Sequence, residues 1–217
     1  MKETPEDIFL RIQQAVRSDR EHDIEYIQEI LKLIQQLLLL DFEFALLNKV
    51  EVLIWNVMRE TIEPVRLAKS KGLQNVLNMC VAFLSDLCIL LQAEYGVIFE
   101  FVPSFISLSS AITHKSRNNQ IREPTIRTFC HFVSLRLGDI FRYKDELVLA
   151  ENCYKTAIRA DPSNGSVWNQ MSLIAQYNAK FADKLYYSAR AVHTERSFES
   201  ATTNTASLLK KFAEGAL

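Results

Sequence analysis

Glycine and proline are scarce in this chain, five of each in 217 residues. So few turn formers exclude a sandwich or barrel, which needs them at every hairpin, and favour long helices joined by short loops. No charge of either sign predominates. Lys and Arg number 25 against 26 Asp and Glu, a formal net charge of -1. A protein whose main task is to grip nucleic acid needs a basic excess, because phosphate neutralisation supplies most of the affinity. No direct nucleic-acid binding is therefore expected, and any anion recognition must come from a local cluster. The four cysteines, Cys80, Cys88, Cys130 and Cys153, form no C-x-x-C pair, and His22, His114, His131 and His193 are scattered. That excludes a disulfide framework, and no metal site or cofactor is expected. Met1 to Asp7 has no apolar signal-peptide core. The run Leu37 to Leu40 is too short to cross a bilayer, so no membrane partner is expected. Nor is there a G-x-S-x-G, H-E-x-x-H or phosphate-loop pattern. No catalytic residue is assigned, and the chain is read as a binding module rather than an enzyme.

What the chain has is apolar content and period. Its hydrophobic fraction of 48% is ample for a core. Ile8, Ile12, Ala15 and Val16 predict a short first helix; Ile24, Ile27, Ile30, Ile34 and Leu37 predict a longer one. A stripe runs from Phe42 through Leu46, Val50, Ile54 and Val57 to Ile62. Pro64 then marks a kink or a new helix. Val76 to Tyr95 is apolar nearly all round, which predicts a central helix packed on more than one side. Residues 102–124, with Pro103, the serines from Ser104 to Ser110 and the polar stretch Thr113 to Gln120, read as a long polar connection. Periodicity resumes near Ile126.

The clearest motif lies beyond it. Leu137-Gly138, Phe141, Ala150, Tyr154, Ala157 and Pro162 fall at tetratricopeptide spacing. In that pattern Gly138 and Ala150 let two helices cross closely, Tyr154 fills the groove, and Pro162 ends the second helix. A second, degenerate unit begins at Trp168 and Met171, about 34 residues on by the repeat's period. There Ser172 replaces the glycine, Lys184 replaces the packing alanine, and Ala191 matches. Asp161-Pro162-Ser163-Asn164-Gly165 is the turn, with Asn164 or Gly165 suited to positive φ. One repeat pair cannot bury its own face, so it is expected to stack on the first-half helices in a single domain, 1–217. Its parts are N-terminal helices at 1–101, the polar loop at 102–124 and repeat-like helices at 125–217.

Leu137-Gly138-Asp139-Ile140-Phe141-Arg142-Tyr143, then Ala150 to Tyr154, then Pro162-Ser163-Asn164-Gly165 and Asn169-Gln170, resembles the SMG/Est-one family of nonsense-mediated mRNA decay and telomerase-associated factors. Asp41 to Leu46, Lys49-Val50-Glu51 and Leu53-Ile54-Trp55-Asn56 look like the SMG-seven branch. Ser197-Phe198-Glu199-Ser200-Ala201 and Asn204 look like the SMG-five branch. The resemblance implies an all-α fold, a 14-3-3-like bundle of about nine antiparallel helices whose second half is tetratricopeptide-like. It also implies a phosphoserine-binding adaptor. Such a domain docks a segment of the phosphorylated Upf RNA helicase in a concave groove and heterodimerises with a paralogous 14-3-3-like domain. A cytoplasmic location with shuttling to the nucleus goes with that role.

By the same resemblance Arg142 and Tyr143 match the Arg-Tyr pair that holds the phosphate, a guanidinium fork beside a phenol donor. The alternative for Arg142 is an ion pair on its own helix, with Glu146 or Asp139. Asn169 and Asn204 match asparagines that clamp the peptide backbone. The family's second cation, a lysine, falls by counting on Glu60. Arg59 is adjacent, and Arg66 shares its helical face seven residues on. Lys69 and Lys71 add diffuse charge, and the alternative for the set is a solvated basic face. Glu60 motivates a second reading, a heterodimerisation module with a vestigial phosphate site. A third is an unrelated repeat scaffold that binds a C-terminal peptide.

Overall fold

A computed structural model describes residues 3–18, 24–106 and 121–214. The expected loop segment 107–120, His22 and His114 lie outside the described residues. The chain forms two compact units, residues 1–100 with 104–129 and residues 101–103 with 130–217. All regular structure among the described residues is helical, in ten α-helices and one short 3-10 turn.

The first unit contains α1 (Pro5–Val16), α2 (Ile24–Leu40), α3 (Phe42–Leu47), α4 (Val50–Leu67), α5 (Leu73–Tyr95) and a 3-10 turn at Ser104–Ile106. Thr4 and Asp7 start α1 with a reciprocal capping box, and Pro5 sits where its missing amide costs nothing. Helix α2 is central and packs against α1, α3, α4 and α5. Its buried Ile27, Ile30, Leu31, Ile34, Leu37 and Leu38 follow the predicted spacing. The stripe expected from Phe42 to Ile62 is divided between α3 and α4, because Lys49 adopts a left-handed conformation at φ 56°. Pro64 starts no helix. It lies in the last turn of α4, where only one amide donor is forfeited, and the new helix begins at Leu73. Helix α5 buries Leu77, Cys80, Leu84, Leu87, Cys88 and Leu91 but leaves Ile89 and Leu90 exposed, so its all-round apolarity overstates its burial.

Two buried polar side chains tie this unit together. The Tyr95 hydroxyl accepts from the Phe42 amide at 3.1 Å and donates to the Leu38 carbonyl at 3.0 Å. It thereby serves the end of α2 and the start of α3 at once. Gln92, fully buried, donates to the carbonyls of Cys88 and Ile106 at 3.1 Å and accepts from the Phe99 amide at 3.0 Å. Around them Phe42 meets the rings of Tyr95, Phe99 and Phe129 at centroid distances of 5.3–6.4 Å. Arg122 adds a forked pair to Glu43, its Nε and Nη2 at 2.9 and 2.6 Å from one carboxylate oxygen while its amide takes the other.

Helix α6 (Glu123–Tyr143) enters the second unit at Cys130. There it is followed by α7 (Leu147–Ala160), α8 (Gly165–Tyr177), α9 (Phe181–His193) and α10 (Ala201–Ala213). The repeat physics is explicit here. A Cβ on Gly138 would lie 2.4 Å from the Tyr154 ring, so only glycine admits that crossing. One period on, Ser172 and Ser188 occupy the corresponding positions, and their buried hydroxyls bond at 2.7 Å. The turns repeat too. Glu146 N bonds Phe141 O at 2.9 Å around Asp145, φ 63°, and Lys180 N bonds Ala175 O at 2.9 Å around Ala179, φ 53°. Both are Schellman closures with a non-glycine in the left-handed position.

The turn expectation at Asn164-Gly165 is corrected. Asn164 has φ -89° and caps α8, its side chain accepting from the Ser166 amide at 3.0 Å. Gly165 is required by proximity instead: an added Cβ would lie 2.5 Å from Phe198 N and 2.7 Å from Ala191 O. The two interhelix turns pair directly through Gly165 N to Arg196 O at 2.8 Å and Arg196 N to Ser163 O at 3.0 Å.

Candidate functional site

Arg142 and Tyr143 end α6, and their surroundings are built from the repeat hairpin. Asp139, one turn earlier, is 2% exposed, and both of its oxygens are held. Arg136 Nη1 donates to Oδ2 and the Tyr154 hydroxyl to Oδ1, each at 2.9 Å. Arg142 Nη2 reaches Oδ1 only at 3.9 Å, while its Nε donates to the Tyr154 hydroxyl at 3.3 Å. The guanidinium carbon sits 4.7 Å from the centre of the Tyr143 ring. Of the two intrahelical pairings open to Arg142, Asp139 is the one present, and Glu146 pairs with Lys144 at 2.8 Å instead.

The electrostatics explain why Arg142 stays charged in a mostly buried setting. Burial alone works against the cation, but Tyr154 and Asp139 outweigh it and hold its pKa above the ordinary value. Burial first, then the neighbouring Asp139 charge, keeps the Tyr154 phenol firmly protonated. Tyr154 is thus both the groove-filling ring of the repeat and the hydroxyl that orients Arg142. Composition and spacing identify the ring; the hydroxyl's two partners depend on how α6 and α7 cross.

The remaining candidates are distributed along the chain. Asn169 is half-buried on α8, and Asn204 is exposed in the first turn of α10. In the first unit Arg59 and Glu60 are both exposed on α4. Arg66, also on α4, is engaged by Glu63, with Nη2 at 2.6 Å and Nε at 3.2 Å. That pairing offsets much of the charge Arg66 would offer an anion. No group of three His, Cys, Asp or Glu residues suited to a metal occurs among the described residues. All four cysteines are buried, and burial pushes the Cys80 and Cys153 thiols up to about 12, away from nucleophilic character.

A second buried cluster serves the fold. His131 donates through Nδ1 to the Ala157 carbonyl at 2.9 Å, and its Nε2 accepts from the Asn164 side-chain amide at 2.9 Å. This assignment satisfies both ring nitrogens in the neutral form. Burial holds the His131 pKa below its ordinary value. Asp161, bonded by Ser163 and Arg196, completes the same corner.

The described residues form an all-helical fold of the 14-3-3-like type, repeat-built in its second unit, with an oriented arginine at the end of a repeat helix. Residues 150–216 match the family described as the Est1 DNA/RNA binding domain. Over 202 residues, 86% of the chain, the sequence is 26% identical to the nonsense-mediated mRNA decay factor SMG7 of Danio rerio. Over 91 residues, 39% of the chain, it is 33% identical to the decay factor SMG5 of Homo sapiens. The structure of the C. elegans SMG5-SMG7 complex superposes with a TM-score of 0.84 at 25% identity, covering 96% of this chain and 53% of that one. The chain is thus similar to SMG7 over most of its length and to SMG5 over part of it, and it shares the fold of the SMG5-SMG7 complex. It spans 17% of the length of that SMG7 and 9% of that SMG5.

Proposed function

We propose that the chain is a non-catalytic adaptor of nonsense-mediated mRNA decay that binds a phosphoserine segment of the phosphorylated Upf RNA helicase. In this reading it works in the cytoplasm as one half of a heterodimer with a paralogous 14-3-3-like domain. The observation that carries the phosphate assignment is the state of Arg142. Its nearest carboxylate lies 3.9 Å away, with both oxygens already bonded at 2.9 Å by Arg136 and Tyr154. The guanidinium is therefore positioned without being neutralised by a close ion pair, which suits it to a dianionic ligand. Tyr143, Asn169 and Asn204 supply neutral donors in this reading.

Titration of the full chain with a fluorescein-labelled phosphoserine peptide and its unphosphorylated twin tests the assignment. The phosphorylated form is expected to bind about tenfold or more tightly. Arg142→Gln should remove that preference, and Arg142→Lys should retain part of it. Equal affinity for the two peptides excludes the phosphate site.

A second reading keeps the heterodimer and discards the phosphate. It is favoured by Glu60 on α4 and by the engagement of Arg66 with Glu63. Sedimentation of the chain alone and with its paralogue separates the two. A stable complex with no phosphopeptide preference supports the second reading; a stable complex with a phosphopeptide preference supports the first.

A further inference from the structure

Helices α8 and α9 join through a tight turn at Ala179, and beside it lies a cleft of about 220 Å³. It is lined by Ala175, Gln176, Ala179, Lys180, Phe181 and Lys184. One wall is aromatic: the Phe181 ring stacks on Phe212 of α10, with centroids 5.2 Å apart and planes 16° from parallel. Phe212 is nevertheless 59% exposed, so the stack leaves apolar surface open to the solvent. The rim is basic. Lys180 and Lys184 line the cleft, and Lys211 lies close enough to Lys184 for their charges to oppose one another. No ion pair to Lys180, Lys184 or Lys211 exists among the described residues.

The repeat shows what is unusual here. In the first hairpin the position is Ala150, fully buried where the helices cross. One period on it is Lys184, half-exposed and lining the cleft. A lysine at a packing position, close to a second lysine with no carboxylate bonded to either, raises the cost of the empty state and lowers it for an anion.

We propose that this cleft is a docking site for an acidic peptide segment carrying one apolar anchor side chain. The anchor occupies the space between Ala175, Ala179 and Phe181, and a flanking carboxylate lies between Lys184 and Lys211. The cleft has room for one Leu or Phe side chain, and the rim matches it in charge. Nucleic acid is the weaker fit, since the site has an alkyl and aromatic pocket and no arginine fork to hold phosphate. The proposal is independent of Arg142 and the phosphoserine reading.

The probe is a fluorescein-labelled twelve-residue peptide with a single central Leu flanked by Asp and Glu, titrated into the full chain by anisotropy. Two further peptides carry Leu→Ser, or Asn and Gln for the acids. A single-stranded oligouridine and sedimentation of the chain alone cover the other occupants. The acidic Leu peptide is expected to bind, and each control peptide to bind about tenfold more weakly. The pair Lys184→Glu and Lys211→Glu should abolish binding, while Arg142→Gln leaves it unchanged. Lys211 is exposed, so Lys211→Glu alone tests the charge without threatening the fold. Unchanged affinity in Lys211→Glu, equal binding of the neutral peptide, preference for oligouridine, or self-association lost in Lys184→Glu would each overturn the proposal.

Discussion

In the α6–α7 hairpin the helices meet where Gly138 faces the ring of Tyr154; in the α8–α9 hairpin the same two positions are Ser172 and Ser188, hydroxyl to hydroxyl at 2.7 Å. A large residue against no side chain has been exchanged for two small polar ones, so the crossing is preserved while its chemistry is not. The alanine position diverges differently. Ala150 is sealed in the crossing, whereas Lys184 opens onto a cleft. The first hairpin also carries the buried Asp139–Tyr154–Arg142 network, which the second lacks because Leu173, Ser188 and Gln176 stand one period on at those three positions. A repeat therefore constrains the geometry of close approach more tightly than residue identity, and the sites of departure are where surface chemistry differs.

The largest expected effect sharpens this contrast. Gly138→Val should destabilise the second unit by about 3 kcal/mol or more, because even a Cβ overlaps the Tyr154 ring. Ser172→Val should cost less, since Ser188 is small. Thermal or urea unfolding measures both, and equal losses would break the comparison. Next, Ser172→Ala or Ser188→Ala alone should cost about 1–2 kcal/mol by stranding a buried hydroxyl. The double variant should cost much less than the sum, and a double-mutant cycle reads the difference.

A graded effect follows from His131, which links the first hairpin to the turn before the second. Its pKa is depressed by burial in the folded state, so the unfolded chain takes up the proton first. The stability that depends on neutral His131 is thus complete above the unfolded value, about 6.5, and is lost as pH falls below it toward the folded value. Urea midpoints between pH 7.5 and 5.5 should fall in the parent and fall less steeply in His131→Gln. The smallest effects concern the matched turns. Asp145 and Ala179 hold left-handed conformations that glycine adopts without strain. Asp145→Gly and Ala179→Gly should each stabilise by about 0.5 kcal/mol, since relieved strain exceeds the added chain entropy only slightly. Loss of stability in one alone would show that the turns are not equivalent.

Much of this was legible in residue order. Scarce glycine and proline with apolar spacings of three and four identify helices, and the motif from Leu137 to Pro162 identifies the hairpin whose Gly138, Ala150 and Tyr154 pack as their types require. The breaks were less legible. Lys49, Lys69, Asp145 and Ala179 take left-handed turns that carry no glycine signature, so the division of the Phe42–Ile62 stripe left no mark in composition. Gly165 was readable as a special position, though for a reason that needs Phe198 and Ala191 beside it.

The sequence by itself determined the class of elements and the repeat period, because periodicity is a local property, while its family resemblance supplied Arg142, Tyr143, Asn169, Asn204, Arg59 and Arg66 as candidates. Only the tertiary structure decided which charges are available. Arg66 is engaged by Glu63, Arg142 is oriented by Asp139 and Tyr154 without a close ion pair, and Lys184 stands beside Lys211 with no carboxylate among the described residues bonded to either. The last two outcomes depend on distances between side chains brought together by helix crossings, and linear spacing does not encode those distances.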